Sequence, residues 1–559
     1  MKMARPWSTQ WKWETWCHKK SGKGFNKVGD YKLNVQIYDT TLRDGSQSEG
    51  ISFSADDKIK IAKRLDRLGV SYIEGGWPGS NPKDLEFFQR AGEIGLENAR
   101  LTAFGSTRRP GVTVQQDANV KALLESGAGV ACIVGKTWDF HVTKALETTL
   151  EENLAMVRET IQYLKEKGLE VFFDAEHFFD GYKANADYSL KVCQTAEEAG
   201  ADCIVLCDTN GGTLPWEIET IMKAVKKAVN APLGIHAHND GGCAVSNSLT
   251  AVRHGAIQVQ GTFNGYGERC GNADLCSIIP NLEVKMNKRC LPPGRLKKLT
   301  ETSRYISEVS NMPHANSQPF VGHGAFAHKG GIHVSALLKN SETYEHMDPE
   351  AVGNHRRVLV SELAGVSNLL YKAKEFNLDI NSYDTETRKV IKQIKDLENE
   401  GFQFEGAEAS LELLLRKAFG HYEDFFQLQN LKIMVEKRED HGMASEAIIK
   451  VKVNEQTVHT AAEGDGPVNA LDNALRKALV DIFPEVQDMH LTDYKVRVLD
   501  GKEATAAKVR VLIESANETD KWNTVGVSEN IIEASWQALV DSINYLLMKQ
   551  QQANQEAPS

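Results

Sequence analysis

The feature that most limits what this chain can fold into is a pattern repeated eight times. From residue 33 onward, short β-rich runs alternate with helical stretches. The candidate strands are residues 33–38, 70–74, 99–104, 130–134, 169–173, 203–206, 233–237 and 257–262. The gaps between them carry helix signals. Ser54 stands before ADDKIKIAKRLDRLG, with Asp56 and Asp57 in the first turn and Gly69 just past the end. EENLAMVRETIQYLKEKG repeats that design and stops at Gly168. Eight strand–helix units in about 250 residues is the count and size of a (β/α)8 barrel. The alternative is a doubly wound open sheet, which usually shows a glycine-rich phosphate fingerprint after its first strand. None follows this one.

A barrel puts its chemistry just beyond the carboxyl ends of the strands. There the chain is rich in reactive groups. The first strand leads to Arg43, Asp44 and Gln47, and the second ends in Glu74. The fifth carries Asp174 and Glu176, the sixth Asp208, Thr209 and Asn210, and the seventh His236, His238, Asn239 and Asp240. The eighth leads to Glu268, Arg269 and Asn272. His236 and His238 are the sharpest signal, because residues two apart on a strand point the same way. Two imidazoles and one carboxylate form a facial set with open positions, suited to a Lewis-acidic divalent cation. Asp44 is the candidate third ligand, since strand one lies two places from strand seven in a closed barrel. The plainer readings are a polar strand end for HAH, a structural ion pair for Glu268–Arg269, and simple packing for Cys270.

Charge sharpens the demand for such a centre. The formal net charge is −11 over 559 residues, which argues against nucleic acid as the main partner. An anionic substrate then needs a local positive group, an arginine or a metal. The length calls for two or three domains, and no apolar stretch approaches the roughly 20 residues of a membrane span. The first 32 residues carry Trp7, Trp11, Trp13 and Trp16 among lysines without a continuous apolar segment. They read as a flexible N-terminal extension rather than a secretory signal. Nine cysteines without CxxC pairs fit reduced thiols and a cytoplasmic setting.

Taken together, DTTLRDGSQ after the first strand, HAHND on the seventh and GERCGN after the eighth resemble the DRE-TIM metallolyases. These barrels include the 2-isopropylmalate, homocitrate and citramalate synthases. VGHGAFAHKGGIHVSALLKNSETYEHMDPEAVG, residues 321–353, resembles the linker subdomain of that group, and the likeness extends from residue 34 to about 548. EGISFSADDKIKIAKRLDRLGVSYIEGGWPGSNPKD and FFDAEHFFDGYKAN are most similar to the long-chain citramalate synthase branch.

The resemblance implies condensation of acetyl-CoA with a 2-oxo acid, pyruvate in that branch, followed by thioester hydrolysis. It implies a divalent metal, Mg2+ or Mn2+ with Zn2+ also open, held by Asp44, His236 and His238 with Asn272 beside it. Arg43 becomes the electrophile and Glu176 a catalytic or positioning carboxylate. Thr209 matches the group that contacts the substrate carboxylate, and Gln47 and Glu74 match groups that orient Arg43 and substrate. Asp174 falls where side chains face the 2-oxo acid. An acid is an odd neighbour for a methyl group, so orienting a histidine or a water is its alternative role. His328 and Tyr344 match residues that the linker delivers to the partner subunit's barrel, which implies a homodimer with a composite active site.

The implied organisation is an extension (1–32), a catalytic barrel (33–295), helical linker subdomains (296–430), a regulatory domain (431–548) and a disordered tail (549–559). In the last third, strand-like runs and two helical runs repeat as three strands and a helix, twice. The resemblance makes this an allosteric domain for an end-product amino acid, isoleucine in this branch. The turn Gly464, Asp465, Gly466 and Pro467 could offer backbone N–H groups to its carboxylate. Competing readings are the same chemistry on a larger 2-oxo acid, for 2-isopropylmalate or homocitrate; a lyase running in the cleavage direction; and an inactive amino-acid sensor.

Overall fold

The computed structural model describes residues 34–556, apart from residues 94, 362, 379, 381–384, 439–441 and 500–506, together with Lys27–Val28 and Tyr31–Lys32. The rest of the tryptophan-rich extension lies outside the described residues, and so does the end of the tail. Two compact units are present: residues up to Ala325 with Met347–His355, and Phe326–His346 with Arg356 onward. The stretch 296–430, expected as linker subdomains, contributes residues to both.

The first unit holds the barrel. Its strands are β1 (Gln36–Asp39), β2 (Tyr72–Gly76), β3 (Arg100–Ser106), β4 (Val130–Lys136), β5 (Glu170–Glu176), β6 (Cys203–Asp208), β7 (Leu233–Ala237) and β8 (Gln258–Gly261). All pair in parallel, and β8 closes the ring on β1 with Val259 opposite Ile37. Each strand begins or ends within about two residues of the expected run. The first helix, Ala55–Leu68, opens on the reciprocal Ser54–Asp57 capping box. It closes on Gly69, whose φ of 98° is the left-handed cap that glycine adopts without steric cost.

Alternation along the strands decides what fills the interior. Tyr38, Tyr72 and Phe172 stack in the middle, with ring centroids 4.9–6.1 Å apart. Val130, Cys132, Cys203 and Val205 complete this plug, so the barrel is a packed core with one working end. The mouth lies above it: Glu74 and Asp174 follow Tyr72 and Phe172 two positions further along their strands, and His236 and Gln260 stand near the carboxyl ends of β7 and β8.

The second unit contains the helices Val366–Glu375, Thr385–Glu400 and Glu408–Ala418. Two three-stranded antiparallel sheets follow, Phe426–Arg438, Gly442–Val453 and Gln456–Gly464, then His490–Val498, Val509–Ala516 and Lys521–Ser528. Each sheet is followed by one helix, Pro467–Leu479 and Ile531–Glu556, giving the expected duplicated motif. Ile449, Val451, Leu471, Leu475, Val511, Ile513, Leu539 and Ile543 share one core. The tail differs from expectation. The last helix runs on to Glu556, so QQQANQE extends it instead of fraying, as helix-favouring Gln and Ala allow.

Candidate active site

The site begins with how the chain leaves β1. The Asp39 carboxylate accepts hydrogen bonds from the Thr41 N–H (3.0 Å) and the Thr41 hydroxyl (2.9 Å). The Thr40 carbonyl accepts from the N–H groups of Arg43 (3.2 Å) and Gly45 (3.0 Å). The chain is thus folded back over the strand end, and the N–H of Phe263, just past β8, donates to Thr41 Oγ1 to lock it there. Burial pushes the Asp39 carboxyl up to about 7, against the pull of its Thr41 bonds.

Arg43 lies at the mouth, and Glu74 holds it. The Glu74 side chain is fully buried, and its carboxylate accepts from the hydroxyls of Tyr38 and Thr40 and from Arg43 Nε at 2.6 Å. The Phe104 ring supports the other side of the guanidinium, with its centroid 3.9 Å away. Burial disfavours the Arg43 charge, but the Glu74 and Asp44 carboxylates outweigh it and its pKa is raised. Glu74 is not on the cavity wall. Of its two expected roles, orienting Arg43 is the one its geometry serves.

Asp44, His236 and His238 meet beside Arg43. Asp44 Oδ2 is 3.3 Å from His236 Nε2 and 3.9 Å from His238 Nε2, and the two Nε2 atoms are 3.3 Å apart. Among the described residues this is the group of metal-type ligand residues close enough to hold one cation, and all three are buried. Burial would raise the Asp44 pKa, but Arg43 and His236 drive it well below the usual carboxylate range. Burial and the neighbouring His236 push His238 down to about 4, so its lone pair is free at neutral pH. His236 is raised, because Asp44 overcomes the effect of burial. Asn272 bridges to His238 through the backbone, and its Oδ1 is buried without a partner. Gly267 makes room for it, since a Cβ there would lie 2.2 Å from Asn272 Nδ2. One anionic oxygen, two imidazole nitrogens and an orphaned amide oxygen fit a divalent cation.

A cavity of about 400 Å3 opens over this group. Arg43, Asp44, Gln47, Asp174, Glu176, Thr209, His236 and His238 line it, so most of the expected residues converge. Thr209 Oγ1 accepts from the His177 N–H at 2.9 Å, which leaves its own hydroxyl proton free for a ligand. Burial pushes Asp174 up to about 6, partly offset by His236. Arg269 binds Asp240 at 2.8 and 3.0 Å and also reaches the Thr209 carbonyl, which makes it a clasp between loops at the rim.

Sequence reasoning missed Trp77, Phe104, Lys136 and Gln260. Lys136 pairs with Glu176 at the end of the neighbouring strand. It is the last residue of β4, a strand end where no chemistry was expected. Gln260 is fully buried on β8, whose sequence QVQG repeats a glutamine at alternate positions. That amide on the inner face of a strand was the available signal.

The remaining candidates belong to the second unit. His328 Nε2 lies 3.3 Å from Glu345 Oε1, and Arg356 also binds that carboxylate. Tyr344 is exposed and stacks on His333, with ring centroids 4.2 Å apart. Gly464 ends one strand and Pro467 begins the next helix, with the Asp465 N–H donating to Asn469 Oδ1.

Comparison with known proteins gives consistent matches along the chain. The HMGL-like family matches residues 34–306. The homocitrate synthase post-HMGL domain matches residues 320–401, and the LeuA allosteric (dimerisation) domain residues 405–547. An (R)-citramalate synthase of Geobacter sulfurreducens is 56% identical over 519 residues, covering 93% of this chain and 98% of that protein. One from Aquifex aeolicus is 56% identical over 520 residues, with the same coverage of 93% and 98%. One from Synechocystis is 52% identical over 526 residues, covering 92% and 96%.

Proposed function

Since this chain belongs to the (R)-citramalate synthase family, we propose that it condenses acetyl-CoA with pyruvate and hydrolyses the thioester to give (R)-citramalate and free CoA. The observation that carries this reading is the convergence of Arg43 with Asp44, His236 and His238 in one buried mouth. Asp44, His236 and His238, with Asn272 beside them, would hold a divalent cation, which would supply Lewis acidity toward the 2-oxo acid. Mg2+ and Mn2+ suit an oxygen-rich substrate better than Zn2+.

The protein's own groups do the rest. Arg43, fixed through Nε by Glu74, keeps its terminal N–H groups for the ketone oxygen as negative charge grows there. The Thr209 hydroxyl donates to the substrate carboxylate, with Gln47 beside it. A base removes a proton from the acetyl methyl group, and the resulting carbon nucleophile attacks the ketone carbon. The alkoxide takes up a proton, and water then cleaves the thioester, so acetyl-CoA, pyruvate and water become citramalate, CoA and one proton. We assign the base and its proton relay to His328, Tyr344 and Glu176. Glu345 beside His328 orients that imidazole, and Lys136 fixes Glu176.

We assign residues 33–295 to catalysis, 296–430 to the linker and 431–548 to regulation. The LeuA-type match supports a dimer and an allosteric effector; we propose a homodimer in which His328 and Tyr344 serve the partner's barrel, with isoleucine acting at the turn Gly464–Pro467. A cytoplasmic setting is supported by the eight described cysteines, all free thiols. No helix among the described residues is long and apolar enough to cross a membrane.

Thiol release from acetyl-CoA, measured with pyruvate, 2-oxoisovalerate and 2-oxoglutarate, tests the substrate. Pyruvate should give the highest kcat/KM, and preference for either larger acid overturns the assignment.

A further inference from the structure

Gln260 touches neither the cavity nor Asp44, yet it is fully buried beside the cation site. Its Oε1 lies 2.9 Å from His236 Nδ1, and its Nε2 donates to Asp174 Oδ1 at 3.0 Å. The direction of this chain follows from its end. A carboxylate only accepts, so the amide must turn its NH2 toward Asp174 and its oxygen toward the imidazole. An oxygen facing Nδ1 requires a proton on Nδ1. The lone pair of the neutral ring is then on Nε2, the atom 3.3 Å from both Asp44 Oδ2 and His238 Nε2.

Nothing comparable orients the second imidazole, because His238 Nδ1 is buried without a partner. The orientation of the nitrogen pair therefore depends on His236. We propose that Gln260, aligned by Asp174, is a positioning residue that fixes the His236 tautomer and thereby sets the affinity of the site for its cation. This rests on the reading of Asp44, His236 and His238 as a cation site. It gives Asp174 a structural task in addition to its place on the cavity wall, and explains why an acid stands there.

Outer partners of this kind are worth about 10- to 100-fold in metal affinity. The test is Mn2+ titration of the full-length protein followed by electron paramagnetic resonance, combined with 15N-histidine spectra of the metal-free protein at alkaline pH. Gln260→Met keeps the volume and removes both hydrogen bonds. It should weaken Mn2+ binding about 10- to 100-fold and shift the His236 signal away from the Nδ1–H tautomer. The exchanged pair Asp174→Asn/Gln260→Glu keeps an acceptor toward His236 and a donor toward the new carboxylate. It should restore both the affinity and the tautomer.

Wild-type Mn2+ affinity in Gln260→Met overturns the proposal, as does an Nε2–H tautomer in the unaltered protein. If Gln260→Met fails to fold, the exchanged pair decides: loss of the Nδ1–H tautomer there also overturns it. Undiminished Mn2+ binding in Asp44→Asn would instead refute the cation site itself, so the two failures are distinguishable.

Discussion

Glu74→Gln is the most informative single change, because it removes one charge without altering shape. Glu74 and Arg43 are 0% and 13% exposed and meet at 2.6 Å. The Tyr38 and Thr40 hydroxyls can rotate to accept from a new amide N–H, but the guanidinium only donates. Arg43 would keep Asp44, 3.6 Å away, as its remaining carboxylate partner. A charge-assisted hydrogen bond contributes about 1.5–3 kcal/mol, and removing one partner of a buried pair costs about 3–5 kcal/mol. If about 2–4 kcal/mol of this appears as lost alkoxide stabilisation, kcat falls about 30- to 1,000-fold. Thiol release at saturating pyruvate reads the loss directly. The pyruvate KM should change by less than about tenfold, because the loss falls on the transition state. Mn2+ affinity should hold, since Glu74 contacts none of the three ligands. A kcat within about threefold of wild type would refute the idea that Glu74 makes Arg43 competent.

Asp44→Asn should cut turnover by at least about 1,000-fold and abolish Mn2+ binding, while light scattering shows the same assembly as wild type. Gly466→Leu enters open space. If the turn's N–H groups hold the effector, the isoleucine concentration for half-inhibition should rise about tenfold or more, with kcat preserved in the absence of isoleucine. Cutting the chain after residue 430 is a poorer test, because Val525 and Val527 share a core with Leu411 and Leu415 of the linker helix. Asp541 accepts from the Ser410 hydroxyl, and burial pushes it up to about 7. An unfolded Asp loses its proton near pH ~4, so the stability it contributes is full below that pH and is lost as pH rises through about 7. Asp541→Asn should therefore melt higher than wild type at pH 8.5 and no higher at pH 4, by scanning calorimetry.

The sequence by itself determined the barrel and most of its mouth. Strand and helix periods are local, so eight alternations and their caps can be read without knowing what packs on what. His236 and His238 were legible for the same reason, as a two-residue spacing on one strand. Asp44 and Arg43 were legible because a barrel brings every strand end to one face. The continuation of the final helix to Glu556 was not legible, since a polar tail reads alike whether coiled or helical.

What only the tertiary structure decided lies across strands. Glu74 grips Arg43 from 31 residues away, and Gln260 joins His236 to Asp174 across 86 residues of chain. Such pairs depend on the register and closure of the barrel, with β8 laid against β1 and β7. A hydrogen bond forms or fails over a few tenths of an ångström, and no local pattern of residues encodes a distance between strands that fine.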